Sequence, residues 1–239
     1  MENSPRNILV TGSSRGIGQA IKSVLHNAGH NVIGHGTRAA AGQIGKDLSD
    51  YRSASELWDV ALEALNGRID VIINNAGIFE ENPVDSGDAE WLAAWDETMS
   101  INLTSCAQLC RHAVLHFQEK NQEGRIVNIA SRAAYRGDSP AHWHYAASKG
   151  GMVAMTKTIA RAYAGDAIYA FAICPGFTMT GMADDYLESR GGRKLLADIP
   201  LGRVAQPAEI AEMAKFCAID APPSMTGAVL DANGASYVR

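Results

Sequence analysis

Tyr145 and Lys149 stand four residues apart in His144-Tyr145-Ala146-Ala147-Ser148-Lys149, a spacing that places both on one face of a helix. A phenol beside an ammonium is a device for moving a proton. Tyrosine alone titrates near 10 and is a poor acid–base group at neutrality. A cation roughly 4 Å away, at an effective dielectric of about 20, favours the phenolate by around 4 kcal/mol. At about 1.4 kcal/mol per pKa unit, that is enough to bring the phenol near pH 7. Towards the other end of the chain lies Thr11-Gly12-Ser13-Ser14-Arg15-Gly16-Ile17-Gly18. Its Gly-x3-Gly-x-Gly spacing lets the backbone turn tightly and approach a pyrophosphate without Cβ interference. A helix starting there adds free N–H groups and the positive end of its dipole. Together the two groups point to hydride transfer between a dinucleotide and a carbonyl or alcohol carbon.

The elements that must position them follow from the apolar pattern. Asn7-Ile8-Leu9-Val10-Thr11 reads as a buried strand, Ile17 to Ala28 as a helix ending at Gly29, and Asn31-Val32-Ile33-Gly34-His35 as a second strand. This is the opening of a doubly wound parallel sheet. The stretch from Gly36 to Asp47 is too short for a helical crossover plus strand, so an abbreviated loop is expected there. A helix from Ser53 to about Leu65 begins under a capping box, Ser53-Ala54-Ser55-Glu56. The next strand, Ile69 to Ile73, ends in Asn74-Asn75-Ala76-Gly77. A long helix spans Trp91 to Gln118 with a break near Asn102, and Arg125 to Ala130 is again a strand. A helix carries Tyr145 through Tyr163, and a strand runs from Ile168 to Ile173 before Cys174-Pro175-Gly176. Residues 177–204, of mixed polarity, suit a substrate lid. Pro207 fits the first turn of a last helix to Ile219, and Ala228-Val229-Leu230 is the final strand. The expected architecture is one α/β domain over residues 1–239, a Rossmann-type fold with a mostly parallel seven-stranded sheet flanked by helices.

Composition narrows the function. Hydrophobic residues make up 46% and charged residues 20% of the 239, as in an ordinary soluble domain. A net charge of −5 without a basic run argues against nucleic acid. No stretch approaches the roughly 20 apolar residues of a membrane span, and the N-terminus lacks the apolar core of a signal peptide. The four scattered cysteines show no disulfide framework, and a cytoplasmic location is expected. His112 with His116 and Cys106 with Cys110 share helical spacings, yet no complete ligand set is visible, so no metal is expected. Glu80-Glu81 and Asp184-Asp185 read as solvated charges, and Trp91 and Trp95 as helix-packing residues.

The glycine spacing, Asn74-Asn75-Ala76-Gly77 and Tyr145-x3-Lys149 resemble the short-chain dehydrogenase/reductase family, in that order and from Ile8 to about Gly234. Within it, the resemblance is nearest the branch that includes 3-oxoacyl-[acyl-carrier-protein] reductases. The resemblance implies that Gly12, Ser14, Arg15, Gly16, Ile17 and Gly18 cradle the cofactor phosphates. It also implies that Asp47 and Leu48 meet the adenine, and that Asn75, Ala76 and Gly77 line the cofactor. Pro175 and Gly176, with Thr178 or Thr180, would hold the carboxamide, Thr180 being the better match. Tyr145 would be the proton donor, with Lys149 tuning it and bonding the nicotinamide ribose. Ser131 would orient the substrate oxygen and Asn102 would support a relay water. The gap from Ser131 to Tyr145 is one residue longer than the family pattern suggests.

Enzymes favouring NAD commonly carry an acid after the second strand; here the sequence is Gly36-Thr37-Arg38. Arg38 and Arg15 would instead clasp a 2′-phosphate, which favours NADP, with NAD as the alternative. The expected substrate is a small-molecule ketone or alcohol, or an acyl thioester. His142, Trp143 and His144 are candidates for the pocket wall, and Phe177, Met179, Met182 and Tyr186 for its lid. An NAD-linked dehydrogenase of a sugar, polyol or other small alcohol is the second reading, and a non-catalytic dinucleotide sensor the third. Family precedent implies a homotetramer or homodimer.

Overall fold

A computed structural model of the chain describes residues 4–179 and 192–239; Thr180, Met182, Asp184, Asp185 and Tyr186 fall outside them. Seven strands form one sheet: β1 (Asn7–Val10), β2 (Asn31–Gly36), β3 (Gln43–Gly45), β4 (Val71–Asn74), β5 (Gly124–Ile129), β6 (Ile168–Pro175) and β7 (Val229–Ala232). Their order is β3-β2-β1-β4-β5-β6-β7. Every pairing is parallel, where the sequence suggested a mostly parallel sheet. Strands covered on both faces need no polar alternation, which explains unbroken runs such as Ile8-Leu9-Val10 and the wholly buried β5. The strand order reverses between β1 and β4, and the carboxyl ends of those two strands open the crevice where such sheets take ligands.

Helices cover both faces. α1 (Gly16–Asn27) and α8 (Pro207–Lys215) bury Ile21, Leu25, Ile210 and Ala214 against Ile8, Val10, Ile73, Val127 and Phe171. On the opposite face, α2 (Ser53–Ala64), α4 (Ser105–Glu119) and α6 (Trp143–Tyr163) bury Leu57, Leu109, Phe117, Met152 and Ile159 against Leu9, Ile72 and Ile126. The shorter α3 (Asp88–Met99), α5 (Ala133–Arg136) and α7 (Gly192–Ala197) lie at the ligand end or lead towards it. β2 passes to β3 through residues 37–42 without a helix, as the short spacing required.

The break expected near Asn102 is present, two helices differ from expectation in their bounds, and one expected capping box is missing. The long helix starts at Asp88 and is divided into α3 and α4 by a π-helical turn, Ser100–Thr104, with Asn102 inside it. The last helix likewise ends at Lys215 and passes into a second π-helical turn, Phe216–Asp220. The capping box at Ser53 does not form. Asp47 accepts from the Ser49 N–H at 3.0 Å and Asp50 from the Arg52 N–H at 2.9 Å. These two aspartate turns bring the chain into α2 with Arg52 already helical, and Glu56 pairs with Lys46 instead.

A capping box does form at α8, between Gln206 and Glu209. The Glu209 carboxylate accepts from the Gln206 N–H at 2.7 Å and receives both ends of the Arg203 guanidinium, at 2.7 and 2.9 Å. Arg203 first, then the Gln206 N–H, holds the carboxyl down at about 2. A depressed folded pKa contributes stability that is present above the unfolded value and lost as pH falls through the folded one. Glu209→Ala should therefore cost about 1 kcal/mol at neutral pH, mainly the capping bond, since an exposed ion pair adds little. Urea midpoints of the two proteins should converge as pH falls from about 4.5 towards 2; a constant gap would remove the charge from this account.

Candidate active site

The glycine loop is shaped by contact with the end of β4. Gly12 sits at φ +63°, and a Cβ there would lie 2.7 Å from Ala76 Cα. A Cβ on Gly18 would lie 2.2 Å from the Gly12 carbonyl oxygen and 2.5 Å from Asn75 Nδ2. Neither position admits a side chain without backbone movement. Hydrogen bonds lock the same contact: Thr11 Oγ1 accepts from the N–H groups of Asn75 and Ala76 at 2.9 and 3.0 Å. Asn75 Nδ2 donates to the carbonyls of Thr11 and Gly12 at 3.1 and 3.0 Å. The first turn of α1 has no side-chain cap, so its N–H groups are left for an anion. This glycine-walled cradle at a helix N-terminus fits a dinucleotide's phosphates. Ser14 and Arg15 lie exposed at its rim, Ile17 is half-buried, and Gly16 makes the turn at φ +56°.

His35, passed over in the sequence, braces this loop. Its Nδ1 accepts from the Gly12 N–H at 3.2 Å and its Nε2 donates to the Lys46 carbonyl at 2.9 Å. Burial pushes its pKa down, which keeps the ring in the neutral form that both bonds require. A histidine between two glycines at the end of β2 was the available signal. Arg38 is exposed on the following loop, where its carbonyl accepts from Gln43 Nε2 at 2.8 Å. Asp47 is exposed, its carboxyl lowered chiefly by the Ser49 backbone bond, while Leu48 is buried in the core.

Tyr145 lies in the first turn of α6, with Lys149 one turn on. The Lys149 ammonium donates to the Ile129 carbonyl at 2.9 Å and sits 5.8 Å from the centre of the Tyr145 ring. Burial lowers Lys149 to about 8. Burial also pushes Tyr145 up to about 12, against a smaller opposing pull from its hydrogen bond with Ser131. A phenol brought near 7 by the neighbouring ammonium is therefore not found in the chain by itself: loss of hydration dominates, and the ammonium is committed to a strand carbonyl. Ser131 Oγ accepts from the Ala133 N–H at 3.1 Å. Between Ser131 and Tyr145 the chain leaves α5 through Gly137, which turns at φ +74°.

Asn102, fully buried in the π-helical turn, reaches back to the end of β4. It accepts from the Ile78 N–H at 2.8 Å and donates to the Ile78 carbonyl at 3.0 Å, with a longer contact to Ser148 Oγ at 3.4 Å. A Cβ on Gly77 would lie 3.2 Å from Asn102 Oδ1 and 3.6 Å from Lys149 Nζ, so these three meet at one point. Pro175 closes β6, and Gly176 donates to the Ala232 carbonyl at 2.9 Å. Thr178 is buried, its hydroxyl turned back onto the Gly176 carbonyl at 3.2 Å. Thr180 lies outside the described residues.

The pocket-wall candidates separate. Phe79, which the sequence reading missed, meets Tyr145 edge-on at 4.8 Å and stacks on His142 at 3.9 Å. Trp143 is exposed and joins an outer cluster with Trp91 and Trp95, while His144 is buried. Phe177 and Met179 pack against Ile199 and Val204. His112 and His116 flank Trp58, and Cys106 and Cys110 lie buried by Asn128. Among the described residues no group of three or more potential metal ligands comes together, and no helix is long and apolar enough to cross a membrane.

A family model described as Enoyl-(Acyl carrier protein) reductase matches residues 12–234. The chain is 34% identical to a 3-oxoacyl-[acyl-carrier-protein] reductase of Vibrio cholerae and 37% identical to that of Pseudomonas aeruginosa, with 96% of each chain covered in both cases. An acetoacetyl-CoA reductase of Rhizobium meliloti is 33% identical, over 96% of this chain and 97% of that one. A crystal structure of a putative gluconate dehydrogenase from Agrobacterium tumefaciens superposes with a TM-score of 0.88 at 26% identity, covering 98% of this chain and 97% of that one. The protein belongs to the short-chain dehydrogenase/reductase family. It is an oxidoreductase of keto and hydroxyl groups that uses a nicotinamide cofactor.

The buried ammonium offers a direct check. With Lys149 enriched in 13C at Cε, its resonance should titrate near pH 8, about two units below an exposed lysine. A midpoint above 10 would mean that the side chain is hydrated and the account of burial wrong.

Proposed function

We propose that the chain is an NADP-dependent ketone reductase in which Tyr145, Ser131, Lys149 and Asn102 form the catalytic group. The carrying observation is the half-buried Tyr145, its phenol paired with Ser131 at the same carboxyl end of the sheet as the glycine cradle. Gly12, Ser14, Arg15, Gly16, Ile17 and Gly18 would hold the pyrophosphate side of the cofactor, with Asn75, Ala76 and Gly77 beside it. Asp47 and Leu48 would meet the adenine, and Pro175, Gly176, Thr178 and Thr180 the carboxamide. The bound nicotinamide supplies the hydride.

Tyr145, protonated up to about 12 in the chain as it stands, has a proton ready for the oxygen of a carbonyl becoming an alkoxide. Ser131 orients that oxygen. Lys149 lies one turn from the phenol and holds positive charge close to the reacting atoms. Asn102 fixes Gly77-Ile78 against that group.

The 3-oxoacyl-[acyl-carrier-protein] reductases among the relatives support an acyl thioester as one substrate. The likeness to a putative gluconate dehydrogenase favours a second reading, an NAD-linked dehydrogenase of a sugar or other small alcohol. Both readings take residues 1–239 as one catalytic domain, residues 177–204 as the substrate lid, a cytoplasmic location and a homotetramer or homodimer.

Titration with NADPH and NADH, followed by nicotinamide fluorescence, decides the cofactor. NADPH should bind the more tightly, and Arg38→Ala should weaken it at least about tenfold relative to NADH, the loss of one charge-assisted phosphate contact; an unchanged ratio would sink the 2′-phosphate clamp. Tyr145→Phe should keep cofactor binding and lose at least about a hundredfold in turnover. Turnover retained in that variant would remove the tyrosine from the mechanism, and wild-type binding without turnover of any ketone or alcohol would favour a sensor.

A further inference from the structure

Arg132 follows Ser131 directly, at the carboxyl ends of β5 and β6, and its backbone N–H donates to the Pro175 carbonyl at 2.9 Å. The side chain is 10% exposed. Its guanidinium lies 4.9 Å over the ring of Phe177, in the segment that follows Pro175-Gly176. Among the described residues, Nη1 is fully buried and has no hydrogen-bond partner. Among the described residues, Asp198 Oδ2 pairs with it at 3.6 Å, too long for a hydrogen bond, and already accepts from Arg136 Nη1 at 2.7 Å. Asp138 acts on the guanidinium through space without bonding it. Among the described residues two guanidinium groups therefore share the Asp198 carboxylate, and the more buried of the two has a donor with no hydrogen bond. A buried cationic donor short of an acceptor is costly, and the planar fork of arginine matches a carboxylate, as it does a phosphate.

We propose that Arg132 receives a carboxylate carried by the substrate, so that the pocket takes an oxo acid in reduction, or a hydroxy acid in oxidation, rather than a neutral ketone. The inference rests on the proposed function, because it uses the same Ser131–Tyr145 site to place the reacting carbonyl. Arg132 is the residue after Ser131, whose hydroxyl would orient that carbonyl, and its backbone is held to Pro175 at the carboxyl ends of β5 and β6. Asp198, near the end of the 177–204 segment and half-exposed, balances part of the charge when no acid is bound. Hydride and proton transfer are unchanged; the carboxylate supplies only a hydrogen-bond acceptor for Nη1, which has none among the described residues.

The test compares 2-, 3-, 4- and 5-oxo acids with their methyl esters, using the full chain with NADPH and with NADH and acetoacetyl-CoA as a thioester control. For at least one chain length, wild type should favour the acid by about 10- to 100-fold in kcat/KM, the range of one charge-assisted hydrogen bond. In Arg132→Gln that ratio should fall towards one. Arg132→Lys, which keeps the charge and loses the fork, should fall between. Esters reduced as well as acids at every length, or an acid preference retained in Arg132→Gln, overturns the proposal and leaves the proposed function standing. Reduction of the thioester but of no oxo acid does the same. Turnover of nothing with either cofactor removes the proposed function, and this inference with it.

Discussion

The closeness of two strand ends governs the rest of the molecule. Where the strand order reverses, β1 and β4 deliver Gly12 and Ala76 so near each other that a single methyl group on Gly12 would sit 2.7 Å from the Ala76 Cα. One hydroxyl, Thr11 Oγ1, takes two backbone donors across that gap, and Asn75 returns two bonds from its amide. The glycine loop and the Asn75-Ala76-Gly77 segment both hang from this joint. α1 springs from the glycine loop, and Gly77-Ile78 leaves the other side towards Asn102. His35 ties the same loop to the third strand through Lys46. The glycines meet a steric demand of the fold itself.

The proton-handling half is set by a second constraint, the cost of burying ionisable groups. Tyr145 and Lys149 move in opposite directions, up to about 12 and down to about 8, because loss of hydration penalises the charged form of each. The two values lie closer to neutrality for the lysine than for the tyrosine, the reverse of what a simple pairwise attraction predicts. The π-helical turn at Ser100–Thr104 belongs to the same economy. It widens the helix by one residue where Asn102 must reach Ile78 while Ser105, Leu109 and Phe117 stay in the core register of α4. Extra residues of this kind in helices often accompany functional positions.

Much of this was legible in the sequence. The strand–glycine–helix–strand opening, the missing crossover between β2 and β3, and the segments bearing Ser131 and Tyr145 follow from apolar periodicity and spacing alone. The family resemblance singled out Asn102, and the structure supplies the turn that holds it. What escaped depended on three-dimensional context. Ser53-Ala54-Ser55-Glu56 has the letters of a capping box, yet the preceding aspartate turns fix the entry to α2 before Ser53 can cap it. Phe79 and His35 carry no motif, and their roles appear only when Tyr145 and Gly12 are brought against them. The phenol's pKa was misjudged because distance to a cation can be guessed from helical spacing, whereas burial cannot.

The joint between β1 and β4 also bears on how the protein forms. Thr11 and Ala76 are 65 residues apart, and parallel pairing over such a separation must close a long loop before any contact repays it. A chain with its local helices formed but β1 and β4 unpaired would have no cradle at all. Cofactor would then bind the complete sheet and ignore every less finished state, so that its concentration shifts the folding equilibrium by mass action. The ligand that serves the reaction would thus act as a chaperone of the finished topology, and cellular dinucleotide levels would help decide how much of the chain stays folded.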